Sequence, residues 1–471
     1  MIAEIERLFD QTRPAFGQER TFARAKTLAM GALVGLGRHT ISGMLCASAQ
    51  QFSDWSAAYR LFEQERFDRE ALFAPVLREV LGHLDPDQPL VAMMDDTLLR
   101  KRGRHVYGTG WRRDPLGPPF AVNFVWGQRF LQISAAVPAA PIGQARGVPL
   151  DLVHAPSAPR PHKNASVEGW KEYRRQQQSM KISTVGVQRL AALRHHLDEE
   201  ASGKDRPLIM TVDGGFTNRA VFRCPPPNTI LIGRVRKDAR LFSAVAPRSC
   251  RGRPRWFGAP LPTPEQIRQD DSICWSRVEA FGAGKLHSFE VKTVAPVRWS
   301  GTGGSDVRLV VIAPLAYRPR KGAKLLYRDP AYLICTDPRL PLSKLLQAYL
   351  WRWEIELNFR DEKTLLGVGE AQVRTQAAVE TVPTLIAAAY AFLLLAGTAS
   401  GPSSALPPPK WRTPSTLPRD STAHMIGILR SQLWGKAMGL DISHFVPPNQ
   451  PTTNTVLFKN TLPSAVCYAF K

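Results

Sequence analysis

Apolar residues recur at three- and four-residue intervals through Leu28–Leu36 and again from Trp55 to Leu81, and this spacing predicts a helical region over residues 1–84. Between the two runs, RHTISGMLCAS offers a helix start with Thr40 or Ser42 as its cap. A DPDQ turn at Asp85–Gln88 ends this regime, and PLVAMMDDT then reads as a short buried strand finishing in two acids. AVNFVWG and RFLQISAAV predict two further, closely connected strands. Pro138 to Lys163, rich in Pro, Ala and Gly, reads as an extended connector. Helical spacing returns from Ser166 to Leu197, with Lys171, Arg174, Arg175 and Lys181 on its outer face. PLIMTVDGGFTN repeats the earlier grammar of apolar strand, terminal acid and turn, and NTILIGRVR adds one more strand.

Over residues 237–340, segments such as HSFEVKTVAPV, VRLVVIAPLAY and AYLICTD alternate with Gly/Pro turns, so this part reads as a β-rich insertion. SKLLQAYLWRWEIELNFRDEKTLL then predicts one helix from Ser343 to Leu366, opened by Pro341 and Ser343 and closed by Gly367. The apolar stretch Leu385–Ala396 is too short to span a bilayer and reads as part of a buried core helix over Val382–Ala396. A Ser/Pro-rich linker occupies 398–420, and a final helix is expected at His424–Met438. The chain divides accordingly into a helical N-terminal domain (1–84), a first core part (85–236), the β-rich insertion (237–340), a second core part (341–400), and a linker with a small helical C-terminal region (401–471).

Charge narrows the function. The 471 residues hold 62 Lys+Arg against 40 Asp+Glu, a net charge of +22, an excess that suits a polyanionic partner because each neutralised phosphate releases counterions. With 44% apolar residues and 9% aromatics the chain is globular and no disordered basic tail. Its six cysteines are scattered, with neither a CxxC pair nor a Cys/His cluster, which argues against a zinc finger or a disulfide scaffold and fits a reducing compartment. The acidic, amphipathic start is unlike a secretory signal.

The candidate chemistry lies where apolar runs stop at acids. Consecutive strand residues face opposite ways, so Asp95 and Asp96 do not both serve one site. Asp213 is the second strand-end acid. On the helix, Tyr349, Arg352, Glu356 and Lys363 stand at offsets of −7, −4, 0 and +7 from the glutamate, along one stripe. The loop after the first acids carries Arg100, Lys101, Arg102, Arg104, Arg112 and Arg113, with Tyr107 and Trp111 interleaved and no acid before Asp114. That composition suits a grip on phosphates. A second run of cations, Arg234 to Arg255, opens the β-rich part, where Trp256, Trp275 and Trp299 offer candidates for stacking on an extruded base.

The pattern Y-x2-R-x3-E-x6-K at Tyr349, Arg352, Glu356 and Lys363, following strand acids at Asp95 and Asp213, resembles the signature of DDE transposases of bacterial insertion sequences. Asp95-Asp96-Thr97 matches the Asp-x-Thr of that group with Asp95 first. The resemblance implies an α/β (α+β overall) chain with an RNase H-like mixed-sheet core interrupted by the β-rich insertion. It also implies Asp95, Asp213 and Glu356 as catalytic residues and ligands for two Mg²⁺, for which Mn²⁺ substitutes. Tyr349, Arg352 and Lys363 would contact the DNA strand near the cut. The implied partners are double-stranded DNA, as terminal inverted repeats and as target, with a homodimer on paired ends and no membrane. The implied setting is the bacterial cytoplasm, at the nucleoid when DNA is bound. A nuclease that cuts without joining, or a non-catalytic DNA-binding descendant, would share most of these features.

Overall fold

A computed structural model describes residues 1–114, 117, 120–139, 143–245, 255–320, 322–399, 406, 419–439 and 462–468. The N-terminal region folds into α1 (Ile2–Asp10), α2 (Glu19–Val34), α3 (Ile41–Ala47), α4 (Trp55–Glu63) and α5 (Ala74–Gly82). Thr40 caps α3 by accepting from the Gly43 backbone N–H, and Asp54 caps α4 through that of Ser56. The strands that follow are β1 (Leu90–Arg100), β2 (Gly110–Arg113), β3 (Phe124–Ala139) and β4 (Gln144–His154). Next come α6 (Val167–Ser179), α7 (Ile182–Glu199), β5 (Leu208–Val212), α8 (Arg219–Phe222) and β6 (Thr229–Arg234).

The β-rich part comprises β7 (Leu241–Phe242), β8 (Pro260–Leu261), α9 (Pro264–Gln269), β9 (Ser276–Gly282), β10 (Lys285–Trp299), β11 (Asp306–Ile312), β12 (Ala316–Tyr317), β13 (Leu326–Tyr327) and β14 (Ala331–Cys335). Helices α10 (Leu342–Trp351), α11 (Trp353–Thr364), α12 (Gln376–Ala399) and α13 (Thr422–Trp434) complete the long elements.

Five strands in the order β4-β3-β1-β5-β6 form the heart of the sheet. β3 runs antiparallel to both β4 and β1, while β1, β5 and β6 are mutually parallel. This is the RNase H-like arrangement. The β-rich part continues the same sheet, because β14 pairs antiparallel with β6 and carries β11 and β10 beyond it. One face is covered by α12 with α1, α2, α4 and α5 around it, the other by α10 and α11. α12 is the one helix among the described residues long and apolar enough to cross a membrane, yet 89% of its most apolar window is buried inside the fold. It is the central core helix, and it accommodates Pro383 in its interior.

Several elements differ from the sequence expectation. β3 is one strand of 16 residues where two were expected. The expected connector at Pro138–Lys163 contains a buried strand, β4, masked in the sequence by its prolines. Pro149 lies at an irregularity, where the β3 partner changes from Ile133↔Asp151 to Ser134↔Pro149, a place where a missing N–H costs no ladder bond. The helical stretch from Ser166 breaks before Ile182 into α6, none of whose residues is buried, and α7. The expected helix Ser343–Leu366 is two helices meeting at Arg352, where the N–H groups of Arg352 and Ile355 bond back to Tyr349 and Arg352, a tightened i→i−3 turn. Gly367 does close α11, at φ +59°, where an added Cβ would meet His39 at 2.7 Å. Most of the expected 398–420 linker lies outside the described residues.

Candidate active site

Alternation along the strands decides which side chains meet. Val91 and Met93 of β1 pack with Ile209 of β5, Ile232 of β6, and Leu345, Leu346, Ile355 and Phe359 of α10–α11. Leu90, Ala92, Met94, Leu208, Met210 and Val212 pack on the opposite side with α12. Asp95 and Asp213, two residues on from Met93 and Thr211, therefore face α10–α11, and Asp96 faces the other way. β1 and β5 pair in register as far as Met94↔Val212, and β5 and β6 as far as Val212↔Gly233. The next positions in these registers are Asp95, Asp213 and Arg234, which form a row across three strands. Asp95 is mid-strand and not at a strand end, since β1 stays paired with β3 to Arg100↔Gly127. What ends at Asp95 is the parallel ladder, and the splaying of β5 away from it makes room for a site.

The helix pair completes the site. Nη1 of Arg352 lies 3.1 Å from Oδ2 of Asp95 and 3.8 Å from Oε1 of Glu356. Oδ1 of Asp95 accepts from the Asp96 backbone N–H at 2.8 Å. Burial, reinforced by the Asp213 carboxylate and to a lesser degree by Glu356, pushes the Asp95 carboxyl up to about 8 against the pull of Arg352. Oδ1 of Asp213 caps its own turn, accepting from the N–H groups of Gly215 and Phe216 at 2.9 and 3.0 Å. Burial raises the phenol of Tyr349, whose electrostatic neighbours are Arg352, Arg234 and Asp213. The structure thus brings together Asp95, Asp213, Glu356, Arg352 and Tyr349. Lys363 lies farther along α11, with Nζ 5.8 Å from the centre of the Phe359 ring, and feels Glu356 and Arg100.

The cations after β1 divide into two groups. Arg102, Arg104 and Arg113 are exposed. Arg100 pairs with Asp114 at 2.9 Å while remaining largely in solvent. Lys101 and Arg112 turn inward: Lys101 donates to the Gly369 carbonyl at 2.5 Å, burial bringing its ammonium down to about 8, and Arg112 donates to the Ser157 hydroxyl. Of the three tryptophans, Trp299 is 9% exposed and packs edge-on against Phe222, Trp275 lies under the Lys292 ammonium, and Trp256 is 62% exposed.

Three residues at the site went unassigned in the sequence. Arg234 occupies the same place at the end of β6 that Asp213 occupies after β5, so the strand grammar marks it, with the opposite sign. Gln132 stands directly across the β3–β1 ladder from Asp95. Glu362, 2% exposed on α11, hydrogen-bonds Gln132, and burial pushes its carboxyl up to about 8. Oε1 of Glu362 and Oε1 of Gln132 are both buried without a hydrogen-bond partner. The sequence signal for this buried acid was the apolar stripe of Phe359 and Leu366 on either side of it.

A family model described as DDE superfamily endonuclease matches residues 11–304. The chain belongs to this family of DDE superfamily endonucleases. Membership makes it a nuclease-type enzyme with DNA as substrate. No curated protein matches the chain. The family match takes in Asp95 and Asp213 and ends before Glu356, so α11 of this endonuclease joins the site by its packing.

As placed, no three His, Cys, Asp or Glu side chains among the described residues converge closely enough to chelate a cation. The chemistry of the donor set nonetheless fits a divalent ion. Asp95, Asp213 and Glu356 are hard oxygen donors, and Asp95 stands close enough to the other two to feel both carboxylates.

Proposed function

We propose that this endonuclease is the transposase of an insertion sequence, cutting DNA at the element's ends and transferring the freed 3′-hydroxyl into target DNA. The observation that carries the proposal is the row of Asp95 and Asp213 beneath the helix that presents Arg352 and Glu356. In this reading Asp95, Asp213 and Glu356 hold two Mg²⁺. When bound, the cations supply an activated oxygen nucleophile and stabilise the leaving oxygen of an in-line displacement.

The chain's own residues do the positioning. Arg352, held against Asp95, offers a planar guanidinium to the phosphate that reaches the acids, a geometry suited to two parallel hydrogen bonds. Tyr349, mostly buried with Arg352, Arg234 and Asp213 as its electrostatic neighbours, contacts the DNA strand near the cut. Lys363 and the exposed Arg102, Arg104 and Arg113 hold the backbone of the terminal inverted repeat, with Arg100 beside them. A pair of chains on paired ends completes the assembly.

The test is incubation of a plasmid carrying the element's flanking ends with the protein in Mg²⁺ or Mn²⁺. End-specific cuts together with joined products are expected. Cuts without any joined product would reduce the protein to a nuclease.

A further inference from the structure

Beyond Arg234 the row of site residues opens into a cleft of 1010 Å³ whose near wall is Gly214 and Thr217, in the turn that follows Asp213. Arg234, Arg236, Lys237, Arg240 and Arg268 line it. Three acids share the lining, but two of them are already engaged: Asp238 pairs with Arg236 at 2.9 Å, and Glu265 with Arg268 at 2.6 Å and with the Tyr332 hydroxyl. Lys237 and Arg240 are exposed and have no ion-pair partner among the described residues. The cleft therefore carries a net positive field that starts one strand from the catalytic row.

We propose that this cleft is a track for an unpaired DNA strand, holding by its phosphates the stretch that leaves the scissile position on the Asp213 side. The direction of the track rests on the active-site reading above, since the row Asp95–Asp213–Arg234 points into it. Size separates single strand from duplex. The volume is at the top of the range of small-ligand pockets, roughly 300–1,000 Å³, which admits a few extended nucleotides and not a double helix. The two aromatic residues in the wall do not provide stacking platforms. Trp299 is 9% and Tyr332 5% exposed, the first packed on Phe222 and the second tied to Glu265. Recognition is accordingly through phosphate and is indifferent to base sequence.

The experiment measures binding of a labelled single-stranded oligonucleotide and of the matching duplex by fluorescence anisotropy, in EDTA, across a salt series. Lys237→Ala/Arg240→Ala is compared with wild type. Two lost phosphate contacts on a single strand make the slope of log K against log salt shallower by about 1.4 and weaken binding about tenfold or more near 0.1 M salt. Duplex binding should change far less. Unchanged single-strand affinity and slope in the double variant would overturn the proposal, as would an equal loss for duplex. The readout contains no cleavage step, so a protein that fails to cut but loses single-strand binding in the double variant would refute the transposase reading and keep the track. Arg234 is left intact in these variants because it borders the catalytic row.

Discussion

Arg352 and Asp95, 257 positions apart in the chain, are joined by a 3.1 Å ion pair that ties the tightened turn between α10 and α11 to the first position of β1 beyond its parallel pairing with β5. Both partners are mostly buried, and Asp95 feels Asp213 and Glu356 besides. One guanidinium thus stands among three carboxylates, so the site is held together in its free form by a charge that a phosphate can take over.

This crowding separates Asp95 from its neighbour. Asp95→Asn should lower the melting temperature, because it takes the nearest carboxylate from the mostly buried Arg352, and it should abolish cleavage. Asp96→Asn should keep cleavage, since Asp96 faces the other side of the sheet, toward Arg129 and Arg112. Thermal melts and a plasmid-nicking assay on both variants check this. Loss of cleavage in Asp96→Asn with retention in Asp95→Asn would reverse the assignment.

Glu362 gives a pH dependence with a definite sign. Its folded carboxyl is raised, so its contribution to stability is complete below the ordinary glutamate range near ~4.3 and is lost as pH rises through about 8. The loss is on the order of several kcal/mol for a fully buried group. Glu362→Gln keeps a donor toward Gln132 and does not titrate, so its melting temperature should fall less than that of wild type between pH 5 and 9. Parallel curves for the two proteins would show that Glu362 is already ionised in the fold.

How far the sequence revealed these features depended on what local pattern carries. The cap of α3 was legible as Thr40 or Ser42, of which Thr40 is the one that caps, and the apolar-strand-and-acid grammar pointed to Asp95 and Asp213, because each depends only on neighbours in the chain. β4 was not legible, since Pro149 and Gly147 make a strand read as a connector, and only the bulge opposite Ser134 makes them tolerable. Nor was the break at Arg352, since nothing in the run of good helix formers around it marks one. Gln132 becomes a site residue only through register, which no single strand contains. The burial of Glu362 against Gln132 depends on the packing of α11 on the sheet, which the helix sequence does not contain.

The basic loop after β1 should divide in function as it does in structure. Lys101→Ala should destabilise the fold, because it unties β1 from the Gly369 turn, by about 1–3 kcal/mol. Arg102→Ala/Arg104→Ala should leave stability unchanged and make the salt slope of duplex binding shallower by about 1.8, if each arginine meets one phosphate. Urea melts and a salt titration separate the two effects. A Lys101→Ala protein of native stability with weakened DNA binding would place that lysine on the DNA.

The most direct test of the account is cleavage and joining of the element's own ends by wild type, Asp213→Asn and Glu356→Gln, each first shown to be folded. Asn keeps the oxygen that accepts from Gly215 and Phe216, so Asp213→Asn should preserve its turn. Both variants should lose at least ~100-fold in cutting, the upper end of what loss of even an outer partner of a metal site costs, and joined products should vanish with the cuts. Cutting that survives undiminished in either variant would contradict the account of this site.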